Sequence, residues 1–223
     1  MALDLSRRAT EPELLDLGVP EDEVRRSLGD LRFVNRWLGG MRGLRALLAP
    51  LFPPGTKGRL LDVGSGSGDL PALVERTFPG VRAIAADVKW LHLAMAPSSL
   101  ARVVADVRAL PFAADSFDVV TASLFLHHFD AAEAGRVLAV LRPLARRALV
   151  VNDLRRARVP YVFGRLAFPF LFRSRVSVED GLVSIRRGFR EDELRAAFAA
   201  AGLSRVCIRR AFPYRLLAVA RTS

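Results

Sequence analysis

From Glu21 to Leu51 the apolar residues fall into a helical rhythm. Val24, Leu28, Leu31, Val34 and Leu38, then Leu44, Leu47, Leu48 and Leu51, recur mostly at three- and four-residue spacing, the period of an amphipathic helix. Glu21 and Asp22 after Pro20 mark a helix start, Gly39-Gly40 interrupts the run, and Pro53-Pro54 ends it. The spacing predicts a helical cap over residues 1–55. Beyond it the period changes. Short apolar runs alternate with helix-length amphipathic stretches, as in a parallel sheet with crossover helices. Strands are expected near 59–63, 81–86, 101–105, 117–122 and 147–152, and helices near 69–78, 90–96 and 130–142, the last ended by Pro143. A helix from Phe189 to Ala201-Gly202 precedes strands near 204–211 and 215–220, which turn at Phe212-Pro213-Tyr214 as an antiparallel hairpin.

Residues 154–185 break this alternation. Arg155, Arg156, Arg158, Arg165, Arg173 and Arg175 flank Tyr161-Val162-Phe163 and Leu166-Ala167-Phe168-Pro169-Phe170-Leu171-Phe172. The apolar stretch is too short to span a membrane. Three readings remain open: an aromatic lid over a lipophilic substrate, a buried helix, or an amphipathic segment in contact with a membrane surface.

Leu60-Leu61-Asp62-Val63-Gly64-Ser65-Gly66-Ser67-Gly68-Asp69 carries the chemistry. An apolar strand ends in an acid, glycines follow at alternate positions, and a helix begins. This is a turn in which a ligand can approach the main chain. A dinucleotide fingerprint G-x-G-x-x-G fails in both registers, because Asp69 or Pro71 stands where its third glycine belongs. No Gly-Lys-Ser/Thr follows, which excludes a P-loop. The acids suit a cationic ligand without phosphate.

The turn resembles motif I of class I S-adenosylmethionine-dependent methyltransferases. Ala83-Ile84-Ala85-Ala86-Asp87 and Val103-Val104-Ala105-Asp106-Val107 follow as strands ending in acids. Then comes Leu110-Pro111-Phe112 with Ser116-Phe117-Asp118-Val119-Val120, similar to the branch that includes the ubiquinone and menaquinone methyltransferases. The resemblance implies a Rossmann-like α/β fold with a mostly parallel seven-stranded sheet, a C-terminal antiparallel hairpin and a helical N-terminal cap. Residues 56–223 would then form the cofactor-binding domain, with a lid-like insert near 154–185. It implies S-adenosyl-L-methionine as cofactor, held by Asp62, Gly64, Ser65, Gly66, Gly68, Asp87, Val88, Asp106, Val107 and Ser123. Asp87 would take the ribose hydroxyls and Asp106 the adenine amino group.

His127 and His128, in Phe125-Leu126-His127-His128-Phe129 after the fourth strand, are the candidate catalytic bases. Imidazole titrates near working pH, and the residues alone do not choose between the two. His92 reads as surface or helix packing, Asp118 as structural, and Cys207 as a core thiol. Asn152 and Asp153 end the fifth strand, as substrate-orienting groups or as a strand-end cap. No His, Cys or Asp spacing suggests a metal site.

Composition adds less. The formal charge is +11, and all the basic residues except Lys57 and Lys89 are arginines. That charge suits an acidic partner, and equally a genome rich in arginine and alanine codons. An Asn/Asp-Pro-Pro-Tyr/Phe sequence and a Pro-Cys or Thr-Cys nucleophile are both absent, which speaks against nucleic acid as substrate. The helical cap and aromatic insert favour a small, partly apolar acceptor, and peripheral membrane contact stays open. Asn152-Asp153-Leu154-Arg155-Arg156 looks, more loosely, like methyltransferases found beside type III polyketide synthases, which implies a phenol-, resorcinol- or quinol-like acceptor methylated on oxygen or carbon. A non-methylating, cofactor-binding auxiliary protein is the alternative. A single cysteine and a polar N-terminus are expected of a cytoplasmic protein.

Overall fold

The computed structural model describes residues 4–37 and 40–222, without the side chains of Arg36 and Trp37. Leu38, the last apolar position of the first helical run, Gly39, and the side chain of Trp37 lie outside the described residues. Seven strands form one sheet: β1 (Gly58–Val63), β2 (Val81–Asp87), β3 (Ala101–Val104), β4 (Phe117–Ser123), β5 (Ala145–Leu154), β6 (Val206–Ala211) and β7 (Arg215–Arg221). Their order is β3-β2-β1-β4-β5-β7-β6. Only β7 runs antiparallel to its neighbours β5 and β6, so the expected α/β class, strand count and C-terminal hairpin all hold.

The sheet is buried on both faces, which explains the unbroken apolar runs in its central strands. Adjacent residues point to opposite faces. Leu61 and Val63 belong to one buried core with Leu138 and Leu141 of α6 (Ala131–Leu141) and Leu194 and Phe198 of α9 (Glu191–Ala200). Leu60 shares a second buried core with Leu70 and Val74 of α4 (Asp69–Thr77) and Leu44 and Leu48 of α3 (Gly40–Leu48). Deleting one such leucine side chain to alanine costs about 2–5 kcal/mol.

The N-terminal helical stretch divides in two. α3 packs on the sheet face, while α1 (Leu14–Leu17) and α2 (Glu21–Trp37) lie over the carboxyl ends of the strands, where their residues line the site. Residues 154–185 form the end of β5, then α7 (Arg158–Leu171) and most of α8 (Arg175–Arg187). The expected helix at 90–96 contracts to α5 (Trp90–Leu93). Cys207 corrects its expected burial: it is exposed, because β6 is an edge strand on which Val206 turns inward and its neighbour outward. No helix among the described residues is long and apolar enough to cross a membrane.

Candidate active site

A cavity of about 740 Å³ opens at the carboxyl ends of β1, β2, β4 and β5, where open α/β sheets bind ligands. One end of it is polar. The turn after β1 runs through Gly64 and Gly68 at φ 62° and 71°. A Cβ on Gly64 would lie 2.0 Å from the Phe125 ring, and one on Gly68 would strike Ala96 and Leu100 at 2.8 and 2.9 Å. Gly64 thus lets the turn pass under the aromatic wall. Gly68 packs closely against the segment after α5, so its place in the turn also has a packing reason.

Three carboxylates gather around this turn. Asp87 is buried. Its Oδ2 accepts from Gly66 N and its Oδ1 from Lys89 N, both at 2.9 Å. That leaves further lone pairs on each oxygen for a pair of hydroxyls. Burial opposes its charge, but the His92 contact and these backbone donors hold its pKa below the usual carboxylate range. Asp62 is caged by Ser65 Oγ and Thr121 Oγ1, both at 2.7 Å. Burial, with Asp87 and Asp69 nearby, pushes its pKa up to about 7. Asp69 is paired with Arg32 of α2 at 3.2 Å. Arg32 also donates to Ser67 Oγ at 3.1 Å and to the Met95 carbonyl at 2.6 Å, which fastens α2 across the turn. Asp106 lies at the rim with Val88 and Val107, and Ser123 lines the far side. Asp106 caps a short 3-10 turn by accepting from Arg108 N at 2.8 Å.

The other end is apolar. Leu31, Val34, Met41, Phe163, Phe168 and Phe172 supply its apolar lining. Between the two ends stand the histidines, and the structure gives them different roles. His127 is buried, with Nδ1 2.7 Å from Asp153 Oδ1 and Nε2 3.3 Å from Glu13 Oε1. Burial disfavours its charge, yet Asp153 and Glu13 outweigh that and hold its pKa at about 9. His127 is an imidazolium locked between two carboxylates. With both ring nitrogens against carboxylates, His127 turns no lone pair toward an acceptor, which favours His128 of the two candidates. His128 is partly exposed to the cavity, with Nδ1 2.8 Å from Asp16 Oδ2 and Nε2 3.9 Å from Glu13 Oε2. Burial works against Asp16, but His128 and Lys89 depress its pKa to about 2.

These partners reach the site through long-range ties. Asp180 of α8 accepts from Leu14 N and Leu15 N at 2.7 and 3.0 Å, anchoring the start of α1. Ser184 donates to Glu13 at 2.5 Å. Arg187 donates to the carbonyls of His127, Glu11 and His128. Glu13, Asp16, Thr121 and Arg215 bear on the site and were missed in the sequence, and His92 was not assigned to it. His92, read as surface or helix packing, is buried and lies 3.7 Å from Asp87, and its Nε2 has no partner. Arg215 is a buried cation with an unpartnered Nη1. Asn152 donates to Ser123 at 2.9 Å, and Asp153 holds His127, so these two orient the neighbouring strand and loop. Glu13, His127 and His128 bring ligand atoms within 4.8 Å of one another. Spacing along the chain gave no sign of that convergence. Both nitrogens of His127 are engaged by carboxylates, so we describe the trio as an ion-paired cluster.

An acid-rich, glycine-backed cleft with free carboxylate lone pairs and an orphaned His92 Nε2 suits a ligand that is cationic at one end and rich in hydroxyl groups at the other. Residues 61–147 match the methyltransferase-domain family model. That stretch is a methyltransferase domain by sequence, and the whole sheet has the class I methyltransferase fold. The cofactor of such a domain is S-adenosylmethionine, and the donor set here fits it. Over 112 residues the chain is 32% identical to the ubiquinone/menaquinone biosynthesis C-methyltransferase UbiE of Desulfotalea psychrophila, covering 47% of this chain and 45% of that one. The match thus spans less than half the length of the curated relative. Among solved structures, an O-methyltransferase family 2 protein from Planctomyces limnophilus, in complex with apigenin, superposes with a TM-score of 0.67 at 20% identity, covering 93% of this chain and 63% of that one. The magnesium protoporphyrin IX methyltransferase of Synechocystis, with bound SAH, gives 0.60 at 20% identity over 91% and 93%. At these identities the structures speak for the fold of the methyltransferase domain.

Proposed function

We propose that this chain transfers a methyl group from S-adenosylmethionine to a small, partly apolar acceptor, of phenol, resorcinol or quinol type, at an oxygen or an adjacent ring carbon. The observation that carries the reading is one continuous cavity, acid-lined at one end and apolar at the other, with the His128–Asp16 pair between. Asp87 would hold the ribose hydroxyls, Asp62 would face the cationic amino group, and Asp106 would meet the adenine amino group. When bound, the cofactor supplies an electrophilic methyl group on a sulfonium.

The protein's own work is placement and proton removal. Orientation of bound reactants contributes about 7–11 kcal/mol toward the barrier in well-aligned cases. Asp16 accepts from Nδ1–H of His128, which fixes the tautomer and leaves Nε2 to take the acceptor's hydroxyl proton. His127 holds Glu13 and the loop in place. Arg215 offers a buried N–H to an acceptor oxygen.

Steady-state kinetics of His128→Ala, with cofactor affinity measured by calorimetry, tests this assignment. The expected result is a kcat lower by about 10²–10⁴-fold with cofactor affinity retained. An unchanged kcat would remove the base and leave placement alone as the mechanism.

A further inference from the structure

We propose that the outward face of α7 docks on an anionic lipid bilayer, so that the cavity opens toward the membrane surface. Val159, Val162, Phe163, Leu166 and Phe170 are 60%, 51%, 50%, 69% and 89% exposed. They stand at positions i, i+3, i+4, i+7 and i+11 of one helix, which forms a single continuous stripe. The opposite face of α7 is already used: Gly164 and Phe168 are buried, Gly164 close to Leu182 and Phe168 close to Gly181 of α8. A surface helix that buries one side ordinarily shows a polar side to water; this one shows large apolar residues instead. Isolated exposed apolar residues are ordinary, whereas a contiguous stripe marks an interaction surface.

Charge selects the occupant. Residues 154–178 contain six arginines and no aspartate or glutamate. Arg156 is turned inward onto Glu193, while Arg158 and Arg165 are exposed on α7 and Arg173 and Arg175 just beyond its C-terminus. Two copies of this face meeting each other would bring like charges together. A bilayer carrying anionic headgroups would take the apolar stripe into its interface and pair with the arginines, as interfacial amphipathic helices do. A helix of 14 residues is about 21 Å long, too short to span the hydrocarbon core, so it lies in the interface.

The site adjoins this face. Val159 and Phe163 belong both to the stripe and to the cavity wall, and Phe212, 81% exposed, lines the cavity from the β6–β7 turn. A lipophilic acceptor could pass from the bilayer into the apolar end without crossing water. That consequence rests on the methyl-transfer reading; the docking itself does not.

The test is co-sedimentation of the full chain with vesicles of phosphatidylcholine alone and of phosphatidylcholine with about one third phosphatidylglycerol. The wild type should bind the anionic vesicles at least about tenfold more tightly than the neutral ones, and less so as salt rises. Leu166→Glu combined with Phe170→Glu should abolish binding to both. Arg165→Gln combined with Arg173→Gln should lower only the anionic component, by about fivefold per arginine. Neither pair lines the cavity, so calorimetric cofactor affinity and circular dichroism should match the wild type and separate lost docking from lost fold. Equal binding to both vesicle types, no binding to either, or a stable dimer that Leu166→Glu with Phe170→Glu dissociates would each overturn the proposal.

Discussion

The two ends of the cavity are built in opposite ways. The cofactor end is assembled from short contiguous segments, each a strand end with its turn: Asp62 to Gly68, Asp87 to Lys89, Asp106 to Arg108. The acceptor end is assembled from residues far apart in the chain. Leu14 is tied to Asp180 across 166 positions, Glu13 to Ser184 across 171, and His128 to Asp16 across 112. Local construction suits a ligand shared by many enzymes, since one turn can hold it wherever the sheet is kept. Long-range construction lets the acceptor pocket change without disturbing that turn.

The largest effect that would sharpen this contrast is at Asp87. Replacing it with alanine removes a charged acceptor placed for two ribose hydroxyls. Calorimetry should show cofactor affinity lower by about 10²–10³-fold, with the fold intact by circular dichroism. Retained affinity would move cofactor binding away from the β2 end.

Next is the His127 clamp, which ties the acceptor end together. Its pKa of about 9 stands above the ordinary value of 6.5. The stabilisation from its charge is therefore fully present below pH 6.5 and is lost as pH rises through 9. It amounts to about 3 kcal/mol at most. Thermal unfolding should show Tm falling across that window, and Asp153→Asn should flatten the profile. A wild-type Tm that does not fall between pH 6.5 and 9 would mean that the clamp contributes no such charge-dependent stabilisation.

A smaller, pH-linked effect belongs to the cofactor end. Asp62 titrates at about 7 in the free protein. A cationic amino group favours its ionised form, so cofactor binding should release a proton. Affinity should then rise up to tenfold per pH unit below 7 and level off above it. The smallest effect is Arg32→Gln, which cuts the tie between α2 and the glycine turn. The ion pair is half exposed, and its loss should cost under about 1 kcal/mol of stability while speeding cofactor release in stopped-flow experiments.

This contrast also explains what could be read in the chain. The strands, their class and the hairpin followed from apolar runs that a doubly covered sheet requires. Asp62, Asp87 and Asp106 followed from acids at strand ends. Glu13 and Asp16 carried no such signal, because a four-residue helix has too little periodicity and its anchor, Asp180, sits on α8. The Leu-His-His sequence pointed to a loop that does border the cavity but could not separate the two histidines, since the difference lies in which carboxylates each one meets. Gly68 kept the motif's spacing for a packing reason. Cys207 was misplaced because alternation on an edge strand sets inside from outside only once the register is known.

The most direct measurement is methyl transfer from radiolabelled S-adenosylmethionine to pooled phenols, resorcinols, quinols and polyketide extracts, with tRNA and DNA pools alongside. Label in a small-molecule pool is the predicted result. Label only in nucleic acid, or none in any pool from a protein shown by calorimetry to bind the cofactor, would contradict it.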